Sequence, residues 1–228
     1  MRSTIQKETS KVTLTEAFCT NRLYRRASIV ALIQIIFHEL TGINVVGMYS
    51  NTILHEITAG SAIDPRIGAI ILGTVSVIGG LASFKVLKTW GRRPLLIFGY
   101  VGISMCHIAI GFLTIYKVDI ANLCCLCLFM FLYQITTGQI TWIYTVEVCV
   151  DVSLGVSFYT LWFVVLILLL GSQPLMATAL GPQGVFFIFA GCCALAAGFC
   201  YMEIRETKDL TDKEKKSLFV PKDLVTPD

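Results

Sequence analysis

Polar side chains crowd one short stretch of an otherwise apolar sequence. The stretch offers amides, hydroxyls, an imidazole and a carboxylate: Gln34, His38, Glu39, Thr41, Asn44, Tyr49 and Asn51. Amides, hydroxyls and a neutral imidazole donate or accept hydrogen bonds without a fixed charge, which suits an uncharged ligand with many hydroxyl groups. The same side chains also join helices inside a membrane. The pattern therefore leaves two alternatives, a ligand cavity and interhelical hydrogen bonding.

Glu39 is the one carboxylate deep within this apolar stretch. At roughly 100° per residue, a continuous helix places the neutral polar groups on one broad arc and Glu39 nearly opposite, unless the region of Gly42 is unwound. An ionisable group at membrane depth is a candidate functional group. Three roles stay open for Glu39: accepting hydrogen bonds from solute hydroxyls, coupling to protons, or pairing with a neighbouring helix.

Six apolar stretches position these residues. Of the 228 residues, 55% are hydrophobic and 14% are charged, and about 20 apolar residues cross a bilayer as a helix. The sequence predicts spans at 28–53, 67–87, 94–116, 120–146, 155–179 and 183–204. We therefore expect an all-α membrane protein in three parts, namely an N-terminal tail (1–26), a six-span unit (27–204) and a C-terminal tail (205–228).

The distribution of basic residues predicts the topology. Six spans place both termini on one side, and of 18 lysines and arginines only Arg66 and Lys117 fall on the other. Cytoplasmic loops carry the excess of positive charge, so we expect cytoplasmic termini. As a separate expectation, we place the protein in the plasma membrane rather than an internal one. The inner turn Gly91-Arg92-Arg93-Pro94 is either a topology signal or a latch, in which arginines grip the carboxylate of Glu147.

Other classes of function find little support in the sequence. Most of the nine cysteines fall within spans, where thiols pack as small apolar groups, and Cys124-Cys125-Leu126-Cys127 lacks a second pair at zinc-site spacing. No nucleophile–base set is evident, and His38, His55 and His107 have no evident partners. The sequence thus disfavours an enzyme, and we expect neither a cofactor, nor a metal, nor a nucleic-acid partner.

Four motifs in order resemble a known family. They are Thr41-Gly42-Ile43-Asn44, Gly91-Arg92-Arg93, Trp142 with Glu147, and Glu206-Thr207-Lys208. Over residues 20–218 the chain resembles the C-terminal half of the sugar porters, the GLUT-type hexose transporters of the major facilitator superfamily. The resemblance implies alternating-access transport of a hexose-like solute, and we expect it to be facilitative.

The resemblance also implies roles for individual residues. His38 and Glu39 stand where the family has two sugar-contacting glutamines, and Asn44 is its asparagine. Tyr49 matches an outer-gate aromatic and Trp142 a cavity-lining tryptophan. The resemblance also implies that the family's cytoplasmic charge network acts as an inner gate. The matching residues here are Arg92, Arg93 and Glu147.

Several positions depart from the family pattern. Lys88 stands where an acidic residue is expected, and Leu154 where an arginine is expected. Gln139 and Thr141 replace two prolines, and the last motif reads Arg205-Glu206-Thr207-Lys208-Asp209 in place of Pro-Glu-Thr-Lys-Gly. These departures change both the pocket and the inner charge network.

Family members have twelve spans, with substrate held between two six-span halves. Four interpretations follow for six spans: a fragment of a full transporter, a half that pairs with a separate N-terminal half, a two-fold homodimer, or a scaffold that has lost transport.

Overall fold

A computed structural model describes residues 12–49 and 65–220. Within these ranges six helical spans are long and apolar enough to cross a membrane: Arg22–Met48, Arg66–Thr89, Arg92–Tyr116, Asp119–Val148, Asp151–Met176 and Gly181–Glu203. No strand occurs in these ranges. The prediction of six spans in an all-α bundle is confirmed. The predicted end of the first span, at 50–53, lies outside the described residues.

Within the described residues the spans are built from eight α-helices, and a ninth follows them. In chain order they are α1 (Arg22–Glu39), α2 (Ile43–Met48), α3 (Pro65–Thr89), α4 (Arg92–Tyr116), α5 (Asp119–Ile135), α6 (Thr137–Val148), α7 (Asp151–Met176), α8 (Gly181–Glu203) and α9 (Asp212–Ser217). The first span begins earlier than predicted because the side chain of Asn21 accepts the backbone N–H of Leu23 at 2.9 Å and caps α1.

Two spans are discontinuous, and glycine explains one of them. The first span breaks between α1 and α2, where Gly42 has a φ of +77° that favours glycine. The fourth breaks at Thr136, whose backbone leaves the helical region and whose hydroxyl donates to the carbonyl of Leu132 at 2.5 Å. By contrast, α7 continues through Gly171 and Pro174. Glycine and proline content therefore predicts the first break but misses the fourth-span break.

The core of the bundle lies around the third span. The third and sixth spans pack extensively against each other, and the second span packs against the fourth. Fully buried large side chains at the centre include Leu96, Tyr100, Ile103, Phe129 and Tyr144. The second and fifth spans are the least buried of the six. Among the spans, the first packs mainly against the fifth and against α6 of the fourth.

Candidate functional site

The break in the first span changes which way its polar residues face. α1 ends at Glu39 and α2 begins at Ile43. Across this break the side-chain amide of Asn44 donates a hydrogen bond to the carboxylate of Glu39. A continuous helix would have kept Glu39 away from the neutral polar arc, so unwinding at Gly42, the exception allowed for by the sequence, is what brings the two together.

His38 connects this pair to the fourth span. Its Nε2 shares a hydrogen bond of 2.9 Å with the hydroxyl of Tyr133, and the same nitrogen lies 3.8 Å from Oε1 of Glu39. The indole of Trp142 meets the imidazole edge-on, with ring centroids 5.8 Å apart. His38 and Glu39 are each only 2% exposed. An imidazole, a carboxylate, an amide and a phenol therefore meet at the break.

The remaining predicted contacts lie at the edge of this cluster. Trp142 is half-buried and stacks on Phe158, with centroids 5.2 Å apart and planes at 27°. Tyr49 is also half-buried, and its hydroxyl donates to the backbone carbonyl of Leu169 in the fifth span at 2.9 Å. Asn44, like these two, keeps part of its surface exposed. We call the buried His38 and Glu39 the floor of the cluster. The partly exposed side chains form its rim, namely Asn44, Tyr49 and Trp142.

Gln34 belongs to the interhelical alternative. It is fully buried, and its amide donates to the hydroxyls of Tyr100 at 2.9 Å and Thr141 at 3.2 Å. Its carbonyl accepts from the thiol of Cys200 at 3.3 Å. One glutamine side chain therefore joins the first span to three others. Asn51, the last residue of the predicted arc, lies outside the described residues.

Glu147 is the centre of a charged network at the end of the bundle where the C-terminal tail lies. Its Oε1 accepts from Nη2 of Arg92 at 3.2 Å and from Nζ of Lys215 at 3.0 Å, and its Oε2 accepts from the hydroxyl of Thr207 at 2.5 Å. The three charged side chains are 12–18% exposed. Hydrogen bonds to a charged group at this degree of burial are among the stronger polar contacts. The network joins the third span, the fourth span and the C-terminal tail.

Arg93 does not take part in this network. Its guanidinium donates to the backbone carbonyl of Tyr201 at 2.6 Å and lies 5.5 Å from the centre of that tyrosine ring. Of the three predicted gate residues, the structure thus brings together Arg92 and Glu147 and places Arg93 against the end of the sixth span.

A second carboxylate, that of Glu206, binds the start of α4. It accepts the backbone N–H groups of Arg92 at 2.8 Å and Arg93 at 3.1 Å, and that of Lys208 at 2.9 Å. A Cβ at Gly91 would meet this carboxylate, so a larger residue there would displace it from the two N–H groups. The Gly-Arg-Arg turn is therefore a carboxylate-binding helix start as well as a pair of charges.

Helix α9 carries Lys215 to Glu147. Thr211 caps α9, since its hydroxyl accepts the N–H of Glu214 while the Glu214 carboxylate accepts the Thr211 N–H and hydroxyl, forming a capping box. These hydrogen bonds lower the pKa of Glu214. Farther along, Phe219 is 3% exposed and packs under the guanidinium of Arg205 at 5.4 Å. The described tail therefore docks on the bundle.

Two contributors to these sites, Tyr133 and Lys215, escaped the sequence analysis, and Thr207 appeared there only as part of a motif. Tyr133 and Gln134 are polar interruptions in an apolar run, which is a usable signal. The Thr-x-x-Glu pattern at 211–214 predicts a helix start near Lys215. Nothing in the sequence connects Thr207 with Glu147, because the contact joins the tail to a distant span.

Cysteines pack in the core of the bundle. Cys106, Cys193 and Cys200 are buried among apolar side chains. Across residues 12–49 and 65–220, no three potential metal ligands lie close enough to hold an ion.

Comparison with known proteins extends over nearly the whole chain. The family model described as "Sugar (and other) transporter" matches residues 1–219. Facilitated glucose transporter member 2 of solute carrier family 2 from Mus musculus is 27% identical over 226 residues, covering 95% of this chain and 42% of the relative. The glucose transporter GlcP of Staphylococcus epidermidis is 29% identical over 192 residues, covering 80% of this chain and 42% of the relative.

Solved structures show the same fold. The proton:xylose symporter XylE bound to 6-bromo-6-deoxy-D-glucose, a major facilitator superfamily protein, superimposes with a TM-score of 0.79 at 18% identity, over 96% of this chain and 47% of that one. Inward-open XylE from E. coli gives a TM-score of 0.75 at 18% identity, over 95% and 45%. The chain thus spans about half the length of the proteins it matches. The predicted resemblance is confirmed, and the protein is a multi-pass membrane protein of the sugar (and other) transporter family.

Proposed function

We propose that this chain is one half of a transporter for a sugar or a similar polyhydroxylated solute, working by alternating access and without ion coupling. The observation that carries the proposal is the cluster at the broken first span. There Asn44, Glu39 and His38 come together beside the half-buried Trp142. Donors and acceptors beside an aromatic face match the alternating hydroxyls and C–H faces of a sugar ring.

In this proposal the residues at the cluster divide the work. Asn44 and Trp142, at the partly open rim, contact the solute first, and Tyr49 closes the outer side through its bond to the fifth span. His38 and Glu39 form the floor beneath them. Because the floor is sealed in the half-bundle, solute contact with it requires the Asn44–Glu39 hydrogen bond to open.

The inner gate is the network around Glu147. Arg92 and Lys215 neutralise that carboxylate from the third span and the tail. Arg93 supports the gate indirectly, by fixing the start of the third span against Tyr201. Opening toward the cytoplasm breaks the bonds to Glu147, since they join elements that have to separate.

A complementary six-span half is the proposed partner. The relatives are about twice as long as this chain, and the least buried spans here, the second and fifth, expose large apolar side chains such as Leu81, Phe84, Trp162 and Leu170. A second half-bundle would cover these faces and complete the solute cavity. Pairing with a second copy of the chain is the competing assembly. Crosslinking distinguishes the two assemblies by showing whether this chain joins an N-terminal half or another copy of itself.

We place both termini in the cytoplasm and the protein itself in the plasma membrane. Exposed Cys19 tests this assignment, because it lies just before the first span. A membrane-impermeant maleimide should label the peptide containing Cys19 only after cells are permeabilised, with Cys19→Ser as the control for peptide identification. Labelling in intact cells would reverse the topology.

The experiment on the site uses vesicles that contain this chain together with the N-terminal half of a sugar transporter. Uptake of radiolabelled D-glucose and D-xylose is measured for wild type, Asn44→Ala and the control Asn122→Ala. Asn122 is a buried amide bonded to Thr114 near the outer end of the bundle. We expect Asn44→Ala to reduce uptake by about tenfold, because a hydrogen bond to the solute is lost and the buried carboxylate of Glu39 loses its amide partner. The control should transport normally. Equal uptake by all three would reject the site.

A transport-inactive membrane scaffold is the second candidate. It is favoured by the burial of His38 and Glu39, each 2% exposed, under side chains of the chain itself. This candidate predicts no uptake in any assembly.

A further inference from the structure

The break in the first span leaves the backbone carbonyl of Thr41 without its helical partner. In a continuous helix the carbonyl of Thr41 would accept the N–H of Val45, four residues on. Here α2 opens with the N–H of Val46 donating to the carbonyl of Gly42 at 2.9 Å instead. An unpaired carbonyl at membrane depth is costly, so the break requires another donor.

His107 in the third span supplies that donor. Its Nε2 lies 2.9 Å from the carbonyl oxygen of Thr41. A carbonyl only accepts, so Nε2 carries the proton in this bond. The side chain is fully buried, and its Nδ1 has no hydrogen-bond partner among the described residues. The bond to Thr41 is therefore the single polar contact found for this ring within the described part of the chain.

Aromatic rings hold both the imidazole and the break. The His107 ring lies 4.7 Å from Phe129, 5.6 Å from Phe186 and 5.8 Å from Phe189, measured between centroids. Phe189 also occupies the space beside Gly42, where a Cβ would lie 2.6 Å from its Cε2. Phe189 thus contacts the His107 ring and also limits the size of the side chain that can stand at position 42.

We propose that His107 is a positioning residue for the solute site. Through the carbonyl of Thr41 it holds the break in the geometry that turns Asn44 toward Glu39. None of the contacts found in the described residues joins His107 to either of these side chains, so its effect passes through the backbone of residues 41–44. The effect on transport rests on the function proposed above, whereas the anchoring of the break does not.

Three substitutions separate the hydrogen bond from ring packing. His107→Phe keeps an aromatic ring in the Phe129–Phe186–Phe189 pocket and removes the donor. His107→Gln keeps an N–H donor at a comparable reach and loses the ring. Phe186→Leu alters the packing of the pocket and leaves the His107 donor in place. All variants are made in the full chain and purified in lipid nanodiscs.

The first measurement is hydrogen–deuterium exchange of the peptide covering residues 40–49. We expect His107→Phe to speed exchange at 43–46 by about 2- to 10-fold, the equivalent of one buried hydrogen bond. His107→Gln should return most of the protection, and Phe186→Leu should match wild type. Unchanged exchange in His107→Phe, or equal acceleration in the Phe and Gln variants, would overturn the anchor and leave the proposed function standing.

The second measurement is D-glucose uptake by the same variants in vesicles with an N-terminal half. His107→Phe should raise KM by about 2- to 10-fold with little change in the maximal rate, because solute binding and not the number of active transporters is affected. His107→Gln should restore KM. A changed exchange pattern with an unchanged KM would refute the positioning role. A wild-type chain without uptake would refute the proposed function and the transport part of this inference, while the exchange data still decide the anchor.

Discussion

Removing the charge of Lys215 should release the C-terminal tail from the inner face. Its Nζ lies 3.0 Å from Oε1 of Glu147, and the two side chains are 16% and 12% exposed. Lys216, its neighbour, makes a matched control, because it carries the same charge on the same helix and has no recorded contact with Glu147. The perturbation is therefore Lys215→Gln against Lys216→Gln.

The expected magnitude follows from the geometry of the pair. Two unit charges 3.0 Å apart attract by about 5 kcal/mol at an effective dielectric constant near 20. Desolvation and the ordering of the lysine side chain offset most of this attraction, and exposed pairs retain about 1 kcal/mol or less. Arg92 stays in place to neutralise Glu147. We therefore expect the opening of the tail to become easier by about 1 kcal/mol, roughly fivefold in population.

Chymotrypsin cleavage after Phe219 reports that opening. Phe219 is 3% exposed when the tail is docked, so cleavage requires the tail to leave its place. When closing outpaces cleavage, the rate follows the open population. Mass spectrometry should therefore show about fivefold faster loss of residues 220–228 from Lys215→Gln, and wild-type rates from Lys216→Gln. Equal rates in wild type and Lys215→Gln, or equal acceleration in both variants, would refute the role assigned to this ion pair.

Two further predictions concern the break and its neighbour in the fourth span. Gly42→Ala should lower the free energy of unfolding by about 1–3 kcal/mol, since alanine is strained at a φ of +77° and its Cβ meets Phe189. Thermal unfolding in detergent measures this change. The control Gly171→Ala should leave the unfolding midpoint unchanged, because nothing lies within 4 Å of the added Cβ. Tyr133→Phe removes the hydroxyl bonded to the imidazole of His38 and should raise the solute KM by about 2- to 10-fold. Tyr116→Phe, at a side chain 73% exposed, serves as the control. An unchanged KM in Tyr133→Phe would show that this hydroxyl has no part in solute binding.

Hydropathy predicts the spans because a membrane helix must bury its backbone polar groups in internal hydrogen bonds. It cannot predict the orientation of Glu39, which depends on where the first span breaks. Gly42 indicates a possible break, but its direction follows from Phe189 and His107, which come from distant spans. The sequence therefore identifies most members of the cluster, but it misses Tyr133 and the contacts that arrange the cluster.

The inner face shows the same limit for charged residues. The pairing of Arg92 with Glu147 is expected from charge and span position, and the structure has it. The resemblance expects an arginine at the position of Leu154, and its absence suggests a weakened network. Lys215 supplies a second cation to Glu147 instead. The replacement of the family's arginine by Lys215 cannot be inferred from sequence, because it depends on how the capped helix α9 packs against the bundle.

Solute uptake by the assembled halves tests the central proposal most directly. Vesicles are prepared with this chain alone, with the N-terminal half of a sugar transporter alone, and with both, at equal protein amounts. Saturable uptake of D-glucose or D-xylose should occur only when both are present, since a solute cavity forms between two half-bundles. Background uptake in the combined vesicles, with the two halves shown by crosslinking to be assembled, would contradict the proposal.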